Sequence, residues 1–216
     1  MIYIIDTETS GLGPTAGVCE IAWLKLDDNL NVIDEVCSLV NPETPIEAGA
    51  QAVHGISDDA VKDMPTLATF APLFEQPLTA VGHNVKFDLR MLKSVLTPDA
   101  SLCTLALARQ ALKDVTNHKL ETLQKELGLS VQKSHSALGD VHTCRELLIL
   151  LLDRLAIDFK TAVERQSQPK MLTRYTFGKY KGKAILSAPK SYRDWLLALP
   201  DLDKDLRYTL ERMASI

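Results

Sequence analysis

Two carboxylates, Asp6 and Glu8, stand at the end of an apolar, β-branched run that begins at Ile2. The run predicts a buried β-strand, and residues two apart in a strand point to the same face. Two acids that close repel each other unless a positive charge lies between them, and Mg²⁺ takes oxygen ligands. The pair is therefore compatible with a metal site, but taken alone an ordinary polar turn after the strand is the more common interpretation.

Two further acids, Asp88 and Asp140, lie near the starts of predicted helices. Asp88 comes one helical turn after Asn84, and Asp140 comes five residues after His135, near the start of the longest predicted helix. Taken singly, each acid could simply complement a helix dipole, and His135 could be a histidine of a surface loop. Only the combination of these residues in order along the chain points to chemistry.

Three motifs follow one another: Asp-x-Glu at Asp6, Asn-x-x-Phe-Asp ending at Asp88, and His-x-Ala-x-x-Asp ending at Asp140. Over roughly residues 2–155 this combination resembles the DEDDh (DnaQ-like) family of 3′→5′ exonucleases. The segment Ala-Val-His-Gly-Ile at residues 52–56 also looks like the stretch between the first two motifs of that family. The resemblance implies a ribonuclease H-like fold and hydrolysis of phosphodiester bonds.

The resemblance also implies roles for individual residues. Two Mg²⁺ ions, for which Mn²⁺ can substitute, would be held by Asp6, Glu8, Asp88 and Asp140. Two metal ions about 4 Å apart can stabilise the attacking and leaving oxygens of a phosphodiester displacement. His135 would be the general base, a role that suits a side chain with an unperturbed pKa of ~6.5.

A second group of residues would contact the substrate by the same resemblance: Thr7, Thr9, Leu12, His54, Asn84 and Phe87. The turn that carries Thr7, Thr9 and Leu12 would cradle the terminal nucleotide, with His54 near its sugar. Core packing is the alternative for Leu12 and Phe87, and for Phe87 we favour packing.

Composition restricts the class of protein. The chain has 216 residues, of which 46% are hydrophobic and 24% charged, as in an ordinary globular protein. Its four cysteines are scattered singly without a Cys-x-x-Cys pair, which indicates free thiols in a reducing cytoplasm. We expect no signal peptide and no membrane span, because no apolar run is long enough to cross a bilayer.

Charge is distributed unevenly along the chain. Residues 1–164 hold 13 Lys or Arg and 23 Asp or Glu, whereas residues 165–216 hold 11 and 5. Such asymmetry suggests a polyanionic partner for the basic part, with a solvated basic surface as an equal alternative.

The apolar patterns predict an α/β fold, a mixed sheet flanked by helices. After the first strand, strands are predicted at residues 18–26, 31–40, 78–82 and 101–104. Helices are predicted at residues 46–53, 57–62, 66–74, from 85 onward, 105–112, 120–127, 137–155 and 157–165. We divide the chain into an exonuclease domain at 1–165, a linker at 166–172 and a small basic C-terminal module at 173–216.

The C-terminal module is predicted as strand, turn and strand over residues 175–185, followed by helices at 191–199 and 204–213. It resembles a small basic module appended in exonuclease X-like members of the family. We favour phosphate contacts for Lys179, Lys181 and Lys183. For Phe177, Tyr192 and Trp195 we favour core packing; a hairpin with merely solvated lysines is the alternative.

The sequence thus predicts a metal-dependent 3′→5′ exodeoxyribonuclease that releases 5′-mononucleotides from DNA 3′ ends and serves DNA repair. Its partner would be single-stranded DNA, with duplex ends and RNA left open, and no protein partner is predicted. An exoribonuclease, a proofreading-type subunit and a non-catalytic binding module are the alternatives.

Overall fold

The computed structural model describes residues 1–130 and 136–214. The chain divides into two compact units, Met1–Arg165 and Gln166–Ile216. His135, the predicted general base, lies outside the described residues. No helix within the described residues is both long and apolar enough to cross a bilayer.

A five-stranded sheet of order β3-β2-β1-β4-β5 forms the centre of the first unit. Its strands are β1 (Ile2–Thr9), β2 (Val18–Leu26), β3 (Val32–Leu39), β4 (Thr79–Gly82) and β5 (Ala100–Cys103). The first three strands form an antiparallel meander, whereas β4 runs parallel to β1 and β5 parallel to β4. The mixed sheet predicted from the sequence is confirmed.

Helices flank this sheet close to the predicted positions. In the first unit they are α1 (Ala48–His54), α2 (Asp58–Val61), α3 (Lys86–Met91), α4 (Thr104–Ala111), α5 (Leu120–Leu127), α6 (Ala137–Leu155) and α7 (Phe159–Ser167). The predicted helix at 66–74 is a 3₁₀ helix, Leu67–Leu73, with Pro72 inside it. Proline lacks the backbone N–H that a longer α-helix needs.

Strand β1 is buried on both faces, because its side chains alternate between two cores. Ile2 and Ile4 pack in the cluster that holds Leu147 of α6, while Tyr3 and Ile5 pack with Trp23 in the other. Alternation along a strand places successive residues on opposite faces. Asp6 and Glu8 therefore directly follow the part of β1 that is packed on both faces and excluded from water.

The second unit differs from the sequence prediction. Residues 175–185 form turns and a single bridge between Arg174 and Ala184, so the predicted strand–turn–strand is wrong. Gly178 and Gly182 both have positive φ, 72° and 79°. Two left-handed residues within five positions fold the chain into tight turns before a ladder can extend.

The rest of the second unit consists of a 3₁₀ turn, Ile185–Ser187, and the helices α8 (Lys190–Leu197) and α9 (Lys204–Ala214). The stretch 166–172, predicted as a linker, is tied to α9. The N–H of Lys170 donates to Asp205 Oδ1 at 2.9 Å, and the N–H of Leu172 donates to Thr209 Oγ1 at 2.8 Å. These two bonds hold the stretch against α9, and its role as a linker stays a prediction.

Candidate metal centre

Three of the four carboxylates predicted as ligands converge at the C-terminal end of β1. One carboxylate oxygen from each of Asp6, Glu8 and Asp140 lies within 4.8 Å of the other two. Asp6 and Glu8 share a face of β1, as the sequence predicted, and Asp140 arrives from the first turn of α6. Hard oxygen donors from separate segments are the ligand set that divalent cations such as Mg²⁺ and Mn²⁺ prefer.

Asp88, the fourth predicted ligand, is not part of this group of three, but it is bonded to Thr7 of β1 and its charge acts on Asp6. Asp88 lies in the first turn of α3 and is 4% exposed. Its Oδ1 accepts hydrogen bonds from the backbone N–H of Thr7 at 3.1 Å and from the Thr7 hydroxyl at 2.9 Å. The side chain of Thr7 is therefore engaged with the carboxylate, while its predicted contact with a nucleotide stays a prediction.

Glu20 holds the helix that carries Asp140. It lies opposite Glu8 in the β1–β2 ladder, and its Oε2 accepts a hydrogen bond from the N–H of Ala137 at 2.7 Å. Ala137 is the first residue of α6, so this bond fixes the start of that helix. Glu20 is not among the residues predicted from the motifs, although an acid in an otherwise apolar strand is a signal that the sequence carries.

Burial raises the pKa values of these acids, and their mutual repulsion adds to the effect. The pKa of Asp6 lies well above its usual range, first because of burial and then because of the charge of Asp88. Burial raises the pKa of Glu8 to about 7, with Asp140 as the next cause. Burial also raises the pKa of Asp88 to about 7, although its bonds from Thr7 oppose this. A divalent cation would relieve this repulsion, so the residues present fit a metal centre.

A cavity of about 380 Å³ opens beside the acids, between the turn after β1 and α1. Its lining includes Glu8, Thr9, Leu12, Glu47 and His54. Leu12 is 77% exposed, so core packing does not account for this side chain. Glu47 was not singled out from the sequence; its carboxylate lies against Gly11, where an added Cβ would meet Oε1 at 2.3 Å.

The hydrogen bonds of His54 support the wall of this cavity. Its Nδ1 accepts from the N–H of Ile56 at 3.0 Å, so the proton lies on Nε2, which is 3.3 Å from the carbonyl oxygen of Thr9. The Thr9 hydroxyl in turn donates to the carbonyl of Gly11 at 2.8 Å. His54 and Thr9 therefore brace the backbone next to Glu8.

Asn84 lies just before α3, and Phe87 lies in the first turn of that helix. Asn84 has a left-handed φ of 78° and lines a cavity of about 560 Å³ with Arg109 and Lys119, two cations that the sequence analysis did not select. Phe87 is half-buried and belongs to none of the buried clusters of the described residues. The guanidinium of Arg90 lies 5.1 Å from its ring centroid. Core packing, which we favoured for Phe87, is not observed.

Comparisons with known proteins show which family the chain belongs to. A family model described as an exonuclease, RNase_T, matches residues 3–148. Exodeoxyribonuclease 10 of Escherichia coli (strain K12) is 32% identical over 220 residues, which cover 98% of this chain and 97% of that protein. The DNA polymerase III subunit epsilon-like protein of Rhodobacter capsulatus is 34% identical over 166 residues, covering 70% of this chain and 24% of that protein.

Solved structures confirm the ribonuclease H-like fold. Exonuclease X in complex with 5′-overhanging duplex DNA matches with a TM-score of 0.65 and 30% identity, over 76% of this chain and 98% of that chain. Escherichia coli exonuclease I in complex with a dA16 oligonucleotide matches with a TM-score of 0.63 at 21% identity, over 72% and 41% of the two chains. The second likeness shows the fold alone.

The raised pKa of Asp88 predicts how the stability of the metal-free protein changes with pH. A carboxyl whose pKa is raised in the folded state binds protons more tightly there, so its contribution to the free energy of unfolding is full at low pH. That contribution falls as the pH rises from about 4 to about 7. Asp88→Asn keeps an acceptor for Thr7 and removes the charge, so at pH 8 it should raise the free energy of unfolding in EDTA by about 1–3 kcal/mol.

Urea unfolding at pH 5 and pH 8 measures this effect, with Asp63→Asn, an exposed acid, as the matched control. The advantage of Asp88→Asn should shrink at pH 5. Equal stability of Asp88→Asn and wild type at pH 8 would contradict the electrostatic account.

The bond between Glu20 and Ala137 predicts a difference between two substitutions. Glu20→Ala removes the acceptor and should lower kcat for digestion of an end-labelled oligonucleotide about 10–100-fold, since a displaced α6 misplaces Asp140. Glu20→Gln keeps an acceptor and should stay within about 5-fold of wild type. Equal losses in both variants would show that the charge of Glu20, rather than its bond, matters.

Proposed function

The chain belongs to the DEDDh (DnaQ-like) family of exonucleases, and from that premise we propose that it is a metal-dependent 3′→5′ exodeoxyribonuclease that releases 5′-mononucleotides from DNA 3′ ends. The observation that carries the proposal is the convergence of Asp6, Glu8 and Asp140 within 4.8 Å beside a cavity. A protein that only bound a polyanion would gain nothing from acids gathered where phosphates must come.

Asp6, Glu8, Asp88 and Asp140 would hold two Mg²⁺ ions, with Mn²⁺ as a substitute. When bound, the ions supply positive charge to the scissile phosphate and to the attacking and leaving oxygens. The contribution of the protein is to hold the four carboxylates in place: Thr7 positions Asp88, and Glu20 positions the helix of Asp140.

The cavity beside Glu8 is where the terminal nucleotide would lie. Leu12 offers an exposed apolar surface to a base, and the backbone braced by Thr9 and His54 forms the adjacent wall. Asn84 and Phe87 would flank the nucleotide from the side of α3. Burial of a base against these groups would orient the phosphate toward the acids. The binding of the base then positions the scissile bond for reaction.

His135 would take the proton from the attacking water. It precedes Ser136, whose Oγ accepts from the N–H of Gly139 at 3.3 Å and so caps α6. Asp140 follows in the first turn of the same helix. The sequence thus attaches the base and one metal ligand to the same capped helix start.

DNA is the substrate we favour. The relative that matches this chain over 97% of its own length is named an exodeoxyribonuclease, and a structural relative was solved with 5′-overhanging duplex DNA. The polymerase-subunit-like relative matches over only 24% of its length, which gives a proofreading role less support. We further propose a role in DNA repair in the cytoplasm, where the four free cysteines would stay reduced.

Digestion of matched substrates tests the proposal. End-labelled single-stranded DNA, duplex DNA and RNA of one sequence are incubated with Mg²⁺, Mn²⁺ or EDTA, with Asp6→Asn as the inactive control. DNA should shorten from its 3′ end, release 5′-mononucleotides and stay intact in EDTA. Shortening of RNA alone would keep the chemistry and overturn the substrate, and no shortening of any substrate would overturn the nuclease.

His135→Ala should lower kcat about 10²–10⁴-fold, the usual contribution of a general base. Metal binding should persist, because the carboxylates are unchanged; calorimetric titration with Mn²⁺ measures this. Turnover near that of wild type would remove His135 from the mechanism. The surface variant His142→Ala is a matched control, since His142 pairs with Glu35 away from the acids.

A further inference from the structure

Two aromatic side chains of the second unit lie open to solvent. Phe177 is 40% exposed and Trp195 is 54% exposed, although we had assigned both to the core. The core of the unit is filled without them, by residues such as Tyr175, Ile185 and Leu206. Tryptophan is enriched at interfaces, and an exposed apolar patch rimmed by polar residues marks an interaction site.

Tyr192 connects these aromatic residues to the lysine-rich turn. Its ring centroid is 5.6 Å from that of Trp195, with 30° between the planes, and 4.8 Å from that of Tyr180. A Cβ on Gly178 would lie 2.7 Å from the Tyr192 hydroxyl, so the turn that follows Phe177 sits directly against this ring. Glycine, with φ of 72°, permits that approach.

The same turn carries Lys179, Lys181 and Lys183. The Nζ atoms of Lys179 and Lys183 lie 5.9 and 5.7 Å from the centroid of Tyr180. All three lysines are exposed, and within the described part of the chain none of them forms an ion pair. Residues 166–193 contain seven Lys or Arg and no Asp or Glu. One of the seven, Lys190, pairs with Asp194 at 2.7 Å, outside the lysine-rich turn.

We propose that this aromatic–lysine face (Phe177, Lys179, Lys181, Lys183 and Trp195) binds single-stranded nucleic acid. Unpaired bases stack on Trp195 and Phe177, and the lysines contact the phosphates between them. Every base has a flat face, so stacking beside cations binds a strand with little regard to sequence. Paired bases hide their faces in the duplex stack, which is why the face selects single strands. Lysines alone would bind any polyanion.

This inference rests on the proposed function, because the partner belongs to the class that the nuclease would degrade. It assigns a second contact site in a unit that contains none of the predicted metal ligands. Linking such a site to a nuclease would raise the local concentration of strand ends.

Tryptophan fluorescence tests the proposal, because the chain has two tryptophans and Trp23 is 1% exposed. The full chain carrying Asp6→Asn is titrated in EDTA with a dT oligonucleotide, the RNA of the same length, duplex DNA and poly-glutamate. Single-stranded DNA and RNA should quench Trp195, whereas poly-glutamate and duplex should not. Binding without quenching of Trp195, or equal quenching by duplex, would overturn the proposal.

Substitutions give the second readout, by anisotropy of a labelled oligonucleotide. Trp195→Ala should weaken binding about 5–100-fold, and Trp195→Phe should restore most of it. Joint replacement of the three lysines by Gln should lower the slope of log K against log salt by about 2. Leu186→Ala and Lys160→Gln, exposed residues outside the face, should leave affinity unchanged.

Thermal unfolding in the same buffers shows that each variant is folded. Equal affinity of Trp195→Ala and Leu186→Ala would overturn the stacking role. A chain that passes these binding tests and digests nothing would refute the proposed nuclease alone, whereas active digestion with no Trp195 response would refute the face alone.

Discussion

Repulsion among partly buried carboxylates is the constraint around which the first unit is built. Strand β1 is covered on both faces, so Asp6 starts in surroundings that disfavour its charge, and Glu8 and Asp140 lie close enough to add to the cost. An unpaired buried charge destabilises a folded protein by several kcal/mol. Such a group of acids is therefore expected where a cation binds between them. The packing of the sheet against its helices offsets the free-energy cost of these acids.

Long-range hydrogen bonds hold the acids against this repulsion. Thr7 and Asp88 are 81 residues apart, and Glu20 and Ala137 are 117 residues apart, yet each pair is bonded. In each pair a backbone N–H, of Thr7 or of Ala137, donates to a carboxylate oxygen, and the bond fixes a helix that carries an acid. The candidate metal centre is thus positioned by polar contacts that are themselves part of the packing between sheet and helices, which is the arrangement expected of a preorganised site.

The second unit has a small core and exposes two of its aromatic side chains. It buries a small core that includes Tyr175, Ile185 and Leu196. The side chains of Trp195 and Phe177 stay exposed to solvent. A unit of about 50 residues buries little surface, so each large apolar side chain left in water is a loss. A bound ligand that covered the two aromatic residues and contacted the three lysines would offset this loss.

The sequence by itself determined the sheet, the helices of the first unit and the placement of Asp6 and Glu8 on one face. Those features follow from periodicity, which is local, and the motifs around Asp88 and Asp140 identified the family. Only the tertiary structure decided that Thr7 binds Asp88, that Glu20 holds α6 and that Trp195 is exposed. The partner of a buried polar group depends on which distant segments meet, and exposure depends on what the rest of the chain leaves uncovered. Neither quantity is a property of neighbouring residues along the sequence.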